Sequence, residues 1–170
     1  MKPLQIALLG AGTVASGVVK VLARNQEELQ RRAGRGIALA AIAARNPDKA
    51  RAALGDALPI TTDFMALATR PDIDIVVELM GGISPARELV LAAIAAGKHV
   101  VTANKALLAM HGNEIFAAAQ AKGVIVAFEA AVAGGIPIIK AVREGLAGNR
   151  IEWIAGIING TTNFILSEMR

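Results

Sequence analysis

The sequence has no cysteine and no tyrosine among its 170 residues. Without cysteine there is no disulfide framework, no thiolate-ligated zinc and no covalent thiohemiacetal chemistry on an aldehyde. Without tyrosine, no Tyr/Lys pair can supply the proton in a carbonyl reduction. The only two histidines, His99 and His111, fit no ligand or dyad spacing; the first reads as the start of a strand and the second as a helix-surface residue. Aromatic residues make up 3% of the chain, too few to stack bases, and the net charge of +4 comes from dispersed Lys and Arg apart from Arg31, Arg32 and Arg35. No nucleic-acid partner is expected. Despite a mean hydropathy of +0.50, uninterrupted apolar runs such as residues 37–44 and 89–96 stop well short of the roughly 18–20 residues that span a membrane. The apolar N-terminal stretch ends at Gly10, too early for a secretory signal, so it reads as the first strand of a cytoplasmic protein with no membrane partner.

What is present is Ala, Val, Ile and Leu, with 54% of the chain hydrophobic, as expected for a parallel sheet covered on both faces by Ala-rich helices. Residues 4–9 read as a strand, and Val14, Val18, Val21 and Leu22 continue at helical spacing toward Arg32. Gly34-Arg35-Gly36 releases a strand at 37–43, and Asn46-Pro47-Asp48 opens a helix. The alternation continues with a weak strand near 59–61, a helix near 63–69, a strand at 73–79, a helix at 84–96 started by Ser84-Pro85 and stopped by Gly97, and a strand at 99–102. A long helix from about 106 to 122, a strand at 124–128 and a helix from about 137 to 146 complete it. The fold class is α/β, a Rossmann-type doubly wound parallel sheet, whose ligand site lies beyond the carboxyl ends of the strands. After Gly148-Asn149 the pattern predicts a new strand at 151–158 carrying Trp153, running into Asn159-Gly160-Thr161-Thr162-Asn163. The expected organisation is therefore a dinucleotide-binding domain over 1–149, followed at 150–170 by the first strand and helix start of an incomplete second domain.

The loop Gly10-Ala11-Gly12-Thr13-Val14-Ala15 matches G-x-G-x-x-A between a strand and a helix. Gly10 permits the tight turn, Gly12 leaves room for a pyrophosphate, Ala15 permits close helix packing, and the helix N-terminus stabilises negative charge. At the end of the second strand an NAD site usually carries Asp or Glu for the ribose 2′-hydroxyl. Here stand Ala44-Arg45-Asn46, and Arg45 is suited to a 2′-phosphate, which makes NADP at least as good a candidate as NAD. The alternative for Arg45 is a solvated loop cation.

With tyrosine absent and histidine unsuited, lysines and carboxylates remain for proton transfer. Val100-Val101-Thr102-Ala103-Asn104-Lys105 leads a buried strand to the sheet's carboxyl edge and delivers Lys105 there, either as an acid/base group or as a solvated cap. Glu129 lies in the apolar segment Glu129-Ala130-Ala131-Val132-Ala133-Gly134-Gly135-Ile136-Pro137, where an unpaired buried charge would cost several kcal/mol. It can hold a hard monovalent cation together with loop carbonyls, cap the following helix, or reach water.

Taken in order, Gly10–Gly17 with the pattern G-x-G-T-V-A-x-G, Val76-Val77-Glu78-Leu79-Met80-Gly81-Gly82, Thr102-Ala103-Asn104-Lys105, the 129–137 loop and Asn159-Gly160-Thr161-Thr162-Asn163 resemble homoserine dehydrogenase along almost the whole chain. The first motif is shared by many dinucleotide-binding proteins; the last three are specific. The resemblance implies NAD(P)-dependent interconversion of L-homoserine and L-aspartate 4-semialdehyde, in threonine, methionine and isoleucine biosynthesis. It implies cofactor contacts at Gly10, Ala11, Gly12, Thr13, Val14, Arg45, Gly81, Thr102 and Lys105, with Lys105 also the catalytic lysine. It further implies a sodium-type cation held by the Glu129 side chain and the carbonyls of Val132, Gly134 and Ile136, and substrate contacts at Gly160 and Thr161.

A second catalytic lysine and acidic substrate ligands are implied downstream of the Asn-Gly-Thr-Thr-Asn loop, and the chain ends at Arg170 before reaching them. The expectation is thus a cofactor-binding portion of an enzyme that at full length is a homodimer or larger. Two competing readings stay open. A sugar or inositol dehydrogenase would also use a lysine, but typically within Glu-Lys-Pro, where this chain has Asn104-Lys105-Ala106. A catalytically silent NAD(P)-binding module would keep the first loop and lack turnover.

Overall fold

A computed structural model describes residues 1–157 and 159–169, the side chains of Gly160 and Thr161 excepted. Six strands form one parallel sheet in the order β3-β2-β1-β4-β5-β6: β1 Leu4–Leu9, β2 Ile37–Ala43, β3 Ile60–Thr61, β4 Ile75–Glu78, β5 His99–Thr102 and β6 Val126–Ala127. The order reverses at β1, which sits between β2 and β4. Such a switch point opens a crevice at the carboxyl edge, because the loops leaving the two central strands diverge to opposite faces.

Alternation along β1 builds two cores. Ala7 and Leu9 enter a cluster with Leu67, Leu89, Val90, Ile94, Leu107 and Ile115, supplied by α4 (Phe64–Thr69), α5 (Ala86–Ala95) and α6 (Lys105–Lys122). Ile6 and Leu8 enter the opposite cluster, with Ala15 and the partly buried Val18 and Leu22 of α1 (Thr13–Arg24) and with Leu54 of α3 (Pro47–Leu54). A strand with both faces covered reads as a near-continuous apolar run, which explains why β2, and β1 past Gln5, lack the polar alternation of a half-exposed strand. Between α5 and α6 the Arg87 guanidinium grips the Glu114 carboxylate, and that hydrogen bond holds the Glu114 carboxyl below its ordinary range.

Several expected boundaries moved. The helix expected to continue toward Arg32 closes at Arg24, and a second one, α2 (Gln26–Ala33), begins beyond Asn25. Asn is a weak helix former, and α2 is polar with no buried residue, so no apolar face locks it onto the axis of α1. Ser84 does not cap α5; Pro85 occupies the cap position, with no side-chain hydrogen bond. Gly97 stops that helix as expected, at φ +77°. The expected helix near 137–146 is α7 (Ile138–Lys140), continued by a wider turn over Ala141–Gly145.

The strand expected at 151–158 does not form: residues 151–157 carry no regular structure, and Ile158 lies outside the described residues. A strand needs a ladder partner, and none pairs with this segment among the described residues. The helix expected after it is present as α8 (Gly160–Glu168), capped by Asn159 Oδ1, which accepts from the Thr162 amide at 2.9 Å. Among the described residues, no helix is long and apolar enough to cross a membrane.

Candidate functional site

The sheet register lines up the ends of five strands. Thr61 pairs with Ala43, Ala43 with Leu9, Leu9 with Glu78 and Glu78 with Thr102. The chemistry-bearing segments leave just beyond this row: Gly10–Val14 after β1, Ala44–Asn46 after β2, Leu79–Gly82 after β4 and Ala103–Lys105 after β5.

Gly10 is wedged between its neighbours. Its N–H donates to Ala43 O at 2.9 Å, its φ is +112°, and a Cβ there would stand 2.9 Å from the Leu79 carbonyl oxygen. Gly12 is at the N-cap of α1, and a Cβ added to it would meet nothing within 4 Å, so its open side faces free space. No side chain caps α1, and its first turn holds no acidic residue. The leading N–H groups and the positive end of the helix dipole are therefore left for an anion. Thr13 and Val14 form that first turn, and Val14 is exposed. Ala15 is fully buried against the sheet, where a larger side chain would force the helix away.

A cleft of about 700 Å³ opens over these loops, with Gly10, Ala11 and Gly12 on one wall, Ala44, Arg45, Asn46 and Lys49 on a second, and Met80, Gly81, Ser84 and Pro85 on a third. Two cations and no carboxylate line it. Arg45 and Lys49 make no ion pair among the described residues, whereas the neighbouring Arg51 is bound to Asp48 at 3.0 Å. Asn46 is structural, its Oδ1 accepting from the Lys49 amide at 2.9 Å to cap α3. Phe64 and Pro85, which give the cleft an apolar flank, were not picked out by sequence reasoning. Both belong to helix-start segments, and nothing in their spacing tells which way they turn.

Thr102 is not on the cleft surface. It is fully buried, and its hydroxyl donates to Glu78 Oε2 at 2.6 Å, behind the cleft wall. Glu78 is equally buried; its Oε1 accepts from the Met80 amide at 2.8 Å. A carboxylate at the end of the buried run Ile75–Glu78 was the available signal for this residue. Lys105 is the first residue of α6, exposed and unpaired among the described residues, and it stands outside the cleft walls. A cation at a helix N-terminus opposes the dipole, so helix stability does not account for a lysine here.

Glu129 does cap the following helix: Oε1 accepts from the Ile139 amide and Oε2 from the Lys140 amide, each at 3.0 Å. The loop between them contains Ala133 at φ +47°, the one non-glycine residue with positive φ among the described residues, two residues before Gly135 at +87°. Val132 O and Gly134 O accept no hydrogen bond among the described residues, whereas Ile136 O accepts from the Ile138 amide at 2.8 Å. Gly160 begins α8 and Thr161 follows it, but their side chains lie outside the described residues; the described side chains of α8, such as Phe164 and Leu166, are exposed.

Residues 10–129 match the profile of the homoserine dehydrogenase NAD-binding domain, and residues 137–170 match that of homoserine dehydrogenase. A homoserine dehydrogenase of Pseudomonas aeruginosa is 66% identical over all of this chain, which covers 39% of that protein. The crystal structure of a homoserine dehydrogenase from Thiobacillus denitrificans superposes with a TM-score of 0.94 at 68% identity, over 99% of this chain and 39% of that one. A hyperthermophilic archaeal homoserine dehydrogenase, solved in complex with NADPH, shares the fold at a TM-score of 0.83 and 24% identity, over 99% of this chain and 56% of that one. The chain thus spans about two fifths of the bacterial relatives it matches.

Proposed function

Because the chain belongs to the homoserine dehydrogenase family, we propose that it supplies the cofactor-binding portion and one catalytic lysine of an NADP-preferring enzyme interconverting L-homoserine and L-aspartate 4-semialdehyde. The observation that carries this reading is the cleft at the β1 switch point, with an uncapped helix N-terminus on one wall and, on another, two cations that make no ion pair among the described residues. Gly10, Ala11, Gly12, Thr13 and Val14 hold the pyrophosphate, Arg45 and Lys49 face the 2′-phosphate, and Gly81 borders the path toward the nicotinamide. The cofactor supplies hydride chemistry when bound. Lys105, on the β5 side of the switch point, holds or releases the proton at the substrate oxygen; Gly160 and Thr161 contact the substrate. Residues 1–149 make up the dinucleotide-binding domain and 150–170 lead into a substrate and dimerisation domain. The exposed Trp153, Ile154 and Phe164 support a surface covered in a homodimer or larger assembly. A cytoplasmic location in amino-acid biosynthesis fits this reading and the cysteine-free sequence.

Arg45→Ala should weaken NADP binding roughly 10- to 150-fold, the loss of one charge-assisted contact, and leave NAD binding nearly unchanged. Calorimetric titration with both cofactors measures this, and equal losses would return Arg45 to a solvated loop cation.

We further propose that the 129–136 loop holds a sodium-type cation. Each Glu129 oxygen retains a lone pair beyond its helix-capping bond, and the carbonyls of Val132 and Gly134 are open, with Ile136 O completing the set. The Ala133 backbone, strained by about 1 kcal/mol or more, supports a loop shaped for ligation. Sodium chloride should raise the Tm above that in choline chloride of equal ionic strength, and Glu129→Gln should erase the difference. An identical Tm in both salts would leave Glu129 as a helix cap alone.

A further inference from the structure

Four polar side chains are buried among the described residues, Glu78, Lys98, Thr102 and Asn104, and three of them belong to one hydrogen-bonded circuit. Glu78 Oε1 accepts from the Met80 amide at 2.8 Å and Oε2 from the Thr102 hydroxyl at 2.6 Å. Thr102 Oγ1 accepts in turn from the Asn104 amide at 3.0 Å. Asn104 Oδ1 caps α6 by accepting from the Leu107 amide at 3.1 Å, while its Nδ2 donates to Gly82 O. The ring closes through the backbone from Met80 to Gly82. It couples the loop bordering the cofactor cleft to the residue immediately before Lys105.

The chemistry of the ring fixes what the residue at 78 must be. The Met80 and Asn104 amides can only donate, so Thr102, which accepts from Asn104, has its single hydrogen left for Glu78. Every hydrogen in the ring therefore has an acceptor only when position 78 offers two acceptors in opposite directions, which a carboxylate does and a carboxamide does not. Cohesion of the sheet does not require this arrangement. An apolar side chain packed between β1 and β5 would avoid burying a carboxylate at all, and replacing buried charged groups by well-packed apolar ones is often neutral or stabilising. What the carboxylate adds is a single geometry for two loops.

We propose that Glu78 is a positioning residue, which through Thr102 and Asn104 sets where the Lys105 ammonium stands and through Met80 and Gly82 sets the loop facing the cofactor. Both halves rest on the function proposed above, the Lys105 half on its catalytic lysine and the loop half on its cofactor cleft. In the enzyme at the length of its relatives, Glu78→Gln keeps shape but turns a carboxamide N–H either toward the Met80 amide, donor against donor, or toward Thr102 Oγ1, whose own hydrogen then loses its acceptor. Turnover per folded molecule should fall about tenfold or more, and NADP affinity should fall by a comparable factor. Thr102→Val should reproduce the loss of turnover and Thr102→Ser, which keeps the hydroxyl, should restore it to within about threefold. In a Lys105→Ala background the Glu78→Gln substitution should cost little further turnover, because the group it positions is gone.

A purely structural Glu78 would lower Tm while leaving turnover per folded molecule and NADP affinity unchanged, and that result overturns the proposal. An undiminished loss of turnover in the Lys105→Ala background overturns its Lys105 half. Normal turnover of Lys105→Ala by itself would instead refute the catalytic reading of the lysine, and the NADP affinity of Glu78→Gln then decides the loop half alone. If Glu78→Gln does not fold, the Thr102→Val and Thr102→Ser pair is measured by the same turnover and affinity readouts, with equal values for the two overturning the proposal.

Discussion

Gly10→Ala should abolish dinucleotide binding and also destabilise the fold, whereas Gly12→Ala should impair binding with the fold intact. At Gly10 the backbone has φ +112° and the added Cβ meets the Leu79 carbonyl oxygen at 2.9 Å. The conformational strain alone costs about 1–3 kcal/mol, and the oxygen it strikes belongs to backbone at the end of β4, which cannot rotate aside as a side chain could. Relief requires parting β1 from β4, which moves both walls of the cleft. Gly12 has no such neighbour and no positive φ, so a methyl group there occupies only the room that a pyrophosphate needs. Denaturant midpoints together with calorimetric titration of NADP separate the two effects. A Gly10→Ala chain with the parent midpoint and affinity would show that the β1 turn does not form the site.

Lys105→Ala should lower homoserine turnover by roughly 10²–10⁴-fold, the range for a positioned acid/base group, in an enzyme of the relatives' length. The stability change distinguishes this from a structural defect. Lys105 is the first residue of an 18-residue helix, where its charge opposes the helix dipole and where alanine is the better helix former. The variant should therefore be as stable as the parent or slightly more so, with NADP affinity largely retained. A loss of turnover that tracks a fall in Tm would assign Lys105 to folding instead.

The central elements were readable because local rules and tertiary context agree there. β1, β2 and β5 are apolar runs with clear stops, and Asn46-Pro47 fixes the start of α3 through a cap and a pre-set φ. β4 and β6 are shorter than the strands expected from sequence, which span 73–79 and 124–128 but pair only over Ile75–Glu78 and Val126–Ala127. Pairing ends where the neighbouring strand ends, and no single strand encodes that. The 151–158 segment has strand composition without a strand beside it, so composition misled. Ser84 had the chemistry of a cap, but the helix begins after Pro85.

Within the site, glycine positions and Arg45 were legible because they follow from the turn and from ligand charge. Glu78 and the burial of Thr102 were not. Their roles arise from the register that sets residue 78 opposite residue 102, a relation between segments 24 residues apart in sequence. For Glu129, residue chemistry left helix cap and cation ligand open. The cap is present, and the cation reading depends on the carbonyls of the same loop.

The most direct measurement is homoserine-dependent reduction of NADP, followed by the absorbance of the reduced nicotinamide, in the protein at the length of its relatives. Steady reduction with homoserine that disappears in Lys105→Ala is the expected result. Tight NADP binding with no reduction in the presence of homoserine would contradict it, and would make this chain a dinucleotide-binding module without catalysis.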